Sequence, residues 1–186
     1  MGPSQLFQNN GDGTFTDVAA KAGVQNFGPS KAVIWGDYND DRWPDLYVSN
    51  LGGVNRLYRN NGNGTFTDVA RELGVAGLIF SFPAWFWDFN NDGVLDLYVS
   101  AYSANIAVLA ANLLDMPVSP DVFAHLYRGN GQGGFEEVAK QYNLIRPNTP
   151  MGSNFGDLDN DGYLDFYLGT GNPDLWNIMP GVMYRN

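Results

Sequence analysis

Apolar and polar residues alternate at period two over short runs of this chain. Leu46 and Val48 alternate with Tyr47 and Ser49, and related runs begin at Leu97 and Phe166. Period two is the mark of half-buried strands rather than helices. Between the runs lie Asn- and Gly-rich stretches, Asn10-Gly11-Asp12-Gly13, Asn61-Gly62-Asn63-Gly64 and Asn130 to Gly134. These residues tolerate the positive φ values that a tight hairpin needs. Together they predict units of four short strands. The first strand is typified by Ala32-Val33-Ile34-Trp35, the second by Asp45 to Ser49, the third by Leu57 to Asn60 and the fourth by Thr65 to Val69.

The units repeat. A Leu-Tyr-Arg-Asn-like element starts at residues 6, 57, 126 and 183. A Val-Ala-x-x-x-Gly/Asn-Val/Leu element, predicted to form one helical turn, runs from Val18 to Val24, Val69 to Val75 and Val138 to Leu144. Both advance by 51 and then 69 residues. Two markers in one register indicate duplicated units. The predicted division is a partial unit over 6–30, a full unit over 31–81, a full unit with an insertion over 82–150, and an incomplete unit over 151–186. The longer step places 18 additional residues between Tyr102 and Ala124. There, 103–115 is predicted to be helical, capped by Ser103 or Asn105, and either packed on the sheet edge or presented to a partner.

A third marker keeps the same register and carries chemistry. Asp-x-Asn/Asp-x-Asp-x-x-x-Asp occurs at Asp37 to Asp45, Asp88 to Asp96 and Asp157 to Asp165, each time between the first and second strands. Oxygen side chains at alternate positions of a tight loop converge on one point, and a hard cation, calcium above all, justifies gathering so many carboxylates. The expected ligands are side chains at loop positions 1, 3, 5 and 9 and the backbone carbonyl of position 7. They are Asp37, Asn39, Asp41, Asp45 and the Trp43 carbonyl; Asp88, Asn90, Asp92, Asp96 and the Val94 carbonyl; Asp157, Asp159, Asp161, Asp165 and the Tyr163 carbonyl. Up to three calcium ions are expected. An EF-hand needs a bidentate Glu at position 12, whereas here Val48, Val99 and Leu168 stand inside strands, so that reading fails. The third loop has four carboxylates against three, and the first has Arg42 where the others have Gly93 and Gly162. Affinity is expected to fall from the third loop to the second to the first, and a plain Asp/Gly turn is the competing reading for each.

Charge and composition narrow the function. The net charge of the 186 residues is −10, and 11 of the 20 acids lie in the three loops. Three divalent ions would add six positive charges and leave −4. With this acidic balance, nucleic acid is not an expected partner. There is no Cys and one His, His125, which excludes a Cys nucleophile and a Cys/His zinc centre. No apolar run approaches the ~20 residues of a membrane span, and Met1 to Ser4 do not form a signal peptide.

The run Trp35-Gly36-Asp37, Asp45-Leu46-Tyr47-Val48 and Asn55 to Val69 resembles an FG-GAP/VCBS repeat. It is similar to the repeat region of ASPIC/UnbV-domain proteins and cartilage acidic protein, although the ASPIC/UnbV module itself is not visible. The resemblance covers nearly the whole chain. It implies an all-β, β-propeller fold with calcium loops in its blades, as in integrin α subunits, and an extracellular, cell-surface or periplasmic setting. Trp87 departs from the pattern, standing where the other units have Gly36 and Gly156. Closed propellers have 4–8 blades, so about three units predict an incomplete ring. Its partners are then expected to be other blades of a longer parent or a second copy closing a six-bladed ring, and a protein or glycan ligand. No catalytic residue is expected. The function predicted is a structural or interaction module that binds calcium. The alternative is a carbohydrate-binding propeller of a larger enzyme, with Trp85, Trp87 and Tyr102 stacking on sugar in place of their default role of filling the propeller core or channel.

Overall fold

The computed structural model describes residues 2–77, 80–103, 105–171 and 180–186. They form four antiparallel sheets. The first is a hairpin of β1 (Phe7–Asn9) and β2 (Phe15–Asp17), followed by the short helix α1 (Ala19–Ala22). The second is a meander of β3 (Ser30–Gly36), β4 (Asp45–Asn50), β5 (Arg56–Asn60) and β6 (Phe66–Asp68). The third repeats it with β7 (Ser81–Trp87), β8 (Asp96–Ala101), β9 (His125–Gly129) and β10 (Phe135–Glu137). The fourth has β11 (Pro150–Gly156), β12 (Asp165–Thr170) and β13 (Val182–Tyr184). Each sheet pairs strands that are adjacent in sequence, the arrangement of a propeller blade. No closed ring forms among the described residues.

Alternation along the second strands places the sheets face to face. In β4, Leu46 and Val48 point back to Ala19, Ala22 and Val24 of the preceding unit. Tyr47 points forward, into a core with Leu97, Val99 and Tyr127 of the third sheet. In β8, Leu97 and Val99 point back while Tyr98 points forward, among Trp85, Trp87, Phe166 and Leu168. β4 and β8 thus each supply residues to the cores on both of their faces. Tyr47 and Tyr98 are buried, and Tyr47 also donates its hydroxyl to the Val75 carbonyl at 2.9 Å. Tyr167 holds the same place in the fourth sheet and is half exposed. β7 also lies beside both β3 and β11, so first strands are neighbours from sheet to sheet.

The Val-Ala elements close each unit in one way. Val24, Val75 and Leu144 donate their N–H groups to the carbonyls of Ala19, Ala70 and Ala139 at 3.0, 2.9 and 3.0 Å. Gly23, Gly74 and Asn143 sit just before them in the left-handed region, at φ 78°, 72° and 57°. The first copy forms α1, and the other two form hydrogen-bonded turns.

The insertion contains helix α2 (Ile106–Leu113). Its cap is Asn105, whose side chain accepts from the Ala107 N–H at 2.8 Å; Ala104 lies outside the described residues. The expected close seating on the sheet edge is not found, because none of its residues is buried. Ile106 and Leu113 are largely exposed, and only Val108 joins Leu51, Phe80, Tyr102 and Val122 around a shallow hollow. Apolar residues run all round this short helix, so one face cannot hide them.

Candidate metal centre

The three acidic loops adopt one backbone. Position 1 accepts from the N–H groups of positions 5 and 6: Asp37 from Asp41 and Arg42 at 3.0 and 2.8 Å, Asp88 from Asp92 and Gly93 at 3.0 and 2.8 Å, Asp157 from Asp161 and Gly162 at 3.0 and 2.9 Å. Position 5 in turn accepts from the N–H of position 7: Trp43 to Asp41, Val94 to Asp92 and Tyr163 to Asp161, at 2.8, 2.9 and 2.9 Å. These bonds curl each loop around its acids. The curl needs two left-handed residues. Asp40, Asn91 and Asn160 supply the first at position 4, with φ 55°, 57° and 60°. Position 6 supplies the second, Gly93 and Gly162 without strain and Arg42 at φ 71° with it.

Position 9 is the deepest acid. Asp45, Asp96 and Asp165 are buried, and each accepts two backbone N–H groups. One comes from position 2, as Tyr38, Phe89 and Leu158 donate at 3.3, 3.0 and 2.8 Å. The other comes from the end of the third-strand element, as Asn60, Gly129 and Asn186 donate at 2.8 Å in all three sheets. A single carboxylate therefore ties the loop to the third strand. Spacing along the loop alone could not reveal Asn60, Gly129 and Asn186; their recurrence in register was the available signal.

Electrostatics separate the three. Burial raises the Asp45 and Asp96 carboxyls to about 6, opposed by their two N–H donors and reinforced by the neighbouring loop acids. Asp165 is held below the ordinary carboxylate range, first by the Asn186 N–H, then by Leu158, with Arg185 adding a smaller pull. It is as hidden from water as its counterparts, but among the described residues its sheet has three strands in place of four. Less protein surrounds it, so the hydrogen bonds outweigh the cost of burial.

The third loop brings one oxygen from each of Asp157, Asp159 and Asp165 within 4.8 Å of one another. Three hard anionic donors so close suit a hard divalent cation. In the first two loops position 3 is an amide. Asn39 and Asn90 turn their NH₂ groups to Asp41 and Asp92 at 2.9 and 2.8 Å, and the Asn39 Oδ1 is enclosed without a partner among the described residues. Among the described residues the third loop alone brings three acids this close; Asp161 and the acids of the first two loops lie outside such a group. Neighbouring loops also touch, since the Asn91 side chain donates to the Gly162 carbonyl at 2.9 Å.

Position 2 fastens two of the loops to the next sheet. Tyr38 stacks on Phe135 of the next sheet with centroids 5.4 Å apart, and Phe89 packs in the core shared with Phe166 and Leu168 of the fourth sheet, meeting Tyr142 of its own unit edge-on at 4.8 Å. Leu158 is exposed.

The proposed sugar platform is corrected. Trp85 and Trp87 are buried between the third and fourth sheets, with Phe166 5.5 Å from each ring. They fill the inter-sheet core, so a sugar cannot reach their faces. Tyr102 is half-buried against Phe82 at 5.3 Å and stands apart from them in the hollow beside α2. The departure at Trp87 also has a reason. At Gly36 a Cβ would come within 2.6 Å of the Phe86 ring, whereas Trp87 occupies the following interface.

The FG-GAP-like repeat family matches residues 1–48, 37–99 and 112–168. Cartilage acidic protein 1 of Homo sapiens is 31% identical over 179 residues, covering 91% of this chain and 25% of that protein. The proteins of the same name from Xenopus tropicalis and Mus musculus are each 31% identical, over 183 and 175 residues. The chain spans about a quarter of the length of these relatives.

Proposed function

Because this chain belongs to the FG-GAP-like repeat family, we propose that it is a calcium-binding, non-catalytic β-propeller module of an exported protein, serving a structural or interaction role. One observation carries the reading: three carboxylates of the third loop converge within 4.8 Å, in a loop whose backbone is repeated twice more at the same point of its sheet. Calcium would be held by positions 1, 3, 5 and 9 and the position 7 carbonyl. It would neutralise acids that otherwise repel one another, including the buried Asp45 and Asp96. The chain's own contribution is to pre-curl the loops through their N–H bonds and to anchor position 9 to the third strand. An exported setting is consistent with sites of this class, which bind in the millimolar calcium of extracellular fluid. The relatives are named as acidic proteins, and this chain carries a net charge of −10. Further blades, from a longer parent or a second copy, are the proposed partners for the half-exposed Tyr167 face.

Calcium titration by calorimetry, paired with thermal unfolding in calcium, magnesium and chelator, tests the reading. Up to three binding events and a calcium-specific rise in melting temperature are expected. No binding heat and no stabilisation at about 10 mM calcium, some tenfold above the weakest constants of this site class, would refute it.

A further inference from the structure

The three loops solve one electrostatic problem in two ways. In the first two, position 3 is Asn, and its amide NH₂ sits against the position 5 carboxylate. In the third, position 3 is Asp159, which has no hydrogen to give and faces the like charge of Asp161. Here Arg185, in the third-strand element of the same sheet, reaches across. Its Nη2 pairs with Asp159 and lies 4.0 Å from the Asp161 carboxylate. The equivalent Arg128 pairs instead with Glu136 on the neighbouring strand at 2.5 Å, away from its loop. Arg185 therefore occupies, in the third loop, the place the Asn amide fills in the others.

Resting on the calcium reading above, we propose that Arg185 is a built-in counter-ion of the third loop, which a divalent cation must displace or outcompete. Asp159 is one of the three carboxylates that converge, so its charge cannot be fully given to both cations at once. The guanidinium steadies the metal-free loop and lowers its apparent affinity. The advantage of a fourth carboxylate is then partly cancelled, and the third loop comes closer to the second than acid counting implies. Arg185 is largely exposed, so it can swing away with little repacking.

Calcium calorimetry on the chelator-stripped chain tests this, with Asp157→Asn identifying the heat that belongs to the third loop. In Arg185→Gln, the third-loop Kd is expected to fall about 3–10-fold at low salt, the effect of removing one positive charge roughly 6 Å from a divalent ion in screened solvent. The gain shrinks at about 0.3 M salt. Arg185→Lys, which keeps the charge, stays within about twofold of the wild type. A third-loop Kd that is unchanged or weaker in Arg185→Gln, or Arg185→Lys matching Arg185→Gln, overturns the counter-ion role and leaves calcium binding standing. Absence of calcium heat from wild type and variants alike overturns both readings.

Discussion

Asp96→Asn separates the structural role of position 9 from its role as a ligand. In the metal-free chain the Asp96 carboxylate is buried and accepts N–H groups from Phe89 at 3.0 Å and Gly129 at 2.8 Å. Burial nevertheless raises its pKa to about 6. A rise of roughly two units means that holding the charge at pH 7 costs the fold about 3 kcal/mol. The amide removes that cost. It keeps one acceptor but turns an NH₂ toward the other donor, leaving that buried N–H unpaired at a cost of about 1–3 kcal/mol. The two effects nearly cancel, so in chelator the variant should lie within about 1.5 kcal/mol of the wild type. In 10 mM calcium, a site with a Kd of about 0.1–1 mM stabilises by about 1.4–2.7 kcal/mol, and the variant should forfeit most of one site's share. Urea unfolding followed by tryptophan fluorescence at pH 7, with calcium and with chelator, gives all four numbers. An equal calcium-induced gain in variant and wild type would refute Asp96 as a ligand. A loss in chelator well beyond 3 kcal/mol would refute the account of its buried charge. Asp165→Asn should do worse in chelator, because a carboxyl already held below its ordinary range has no such cost to shed.

Tyr47→Phe should cost about 1–2 kcal/mol, since it strips the Val75 carbonyl of a buried partner, whereas Tyr167→Phe at the half-exposed equivalent should cost under about 0.5 kcal/mol; urea unfolding of the pair checks both. Arg42→Gly should raise stability in chelator by about 1 kcal/mol by relieving the left-handed backbone at φ 71°, and it should tighten calcium at the first loop, as read by thermal unfolding and calorimetry. His125 is held below its ordinary pKa by burial, against the opposing pull of Glu137 and Asp121. The unfolded chain therefore takes the proton first, and stability should be lost as pH falls from about 6.5 through the lower folded value. In saturating calcium, His125→Gln should flatten that part of the stability–pH curve, and an unchanged slope would refute the assignment.

The strands were legible because their markers recur. Leu46, Leu97 and Phe166 hold one place in three copies, and Asn/Gly turns punctuate them. The loops were legible because their acids are spaced at alternate positions. What escaped depends on contacts between distant segments. The N–H groups of Asn60, Gly129 and Asn186 reach position 9 only once the third strand folds beside the second. Arg185 looks like any other third-strand Arg until its partner is seen. Trp85 and Trp87 could be read as core or as a sugar platform, because a run of aromatics carries no label for the side that will be covered. The sheet that covers them, β11 to β13, lies more than sixty residues downstream. Position 4 could have been read locally, since Asp40, Asn91 and Asn160 are the residue types that tolerate a left-handed backbone.

The placement of Tyr38 and Phe89 has a mechanical consequence. Each follows the first acid of its loop, donates its N–H to the buried carboxylate, and sets its ring in the core shared with the next sheet, Tyr38 against Phe135 and Phe89 in the cluster that holds Phe166 and Leu168. A pulling force that parts adjacent sheets must first extract these rings, and it cannot do so without dragging the acids beside them. A loop clamped at its carboxylates resists that extraction, while a loop free to open yields. The tensile strength of the chain would then follow the ionic composition of the fluid around it, sheet by sheet.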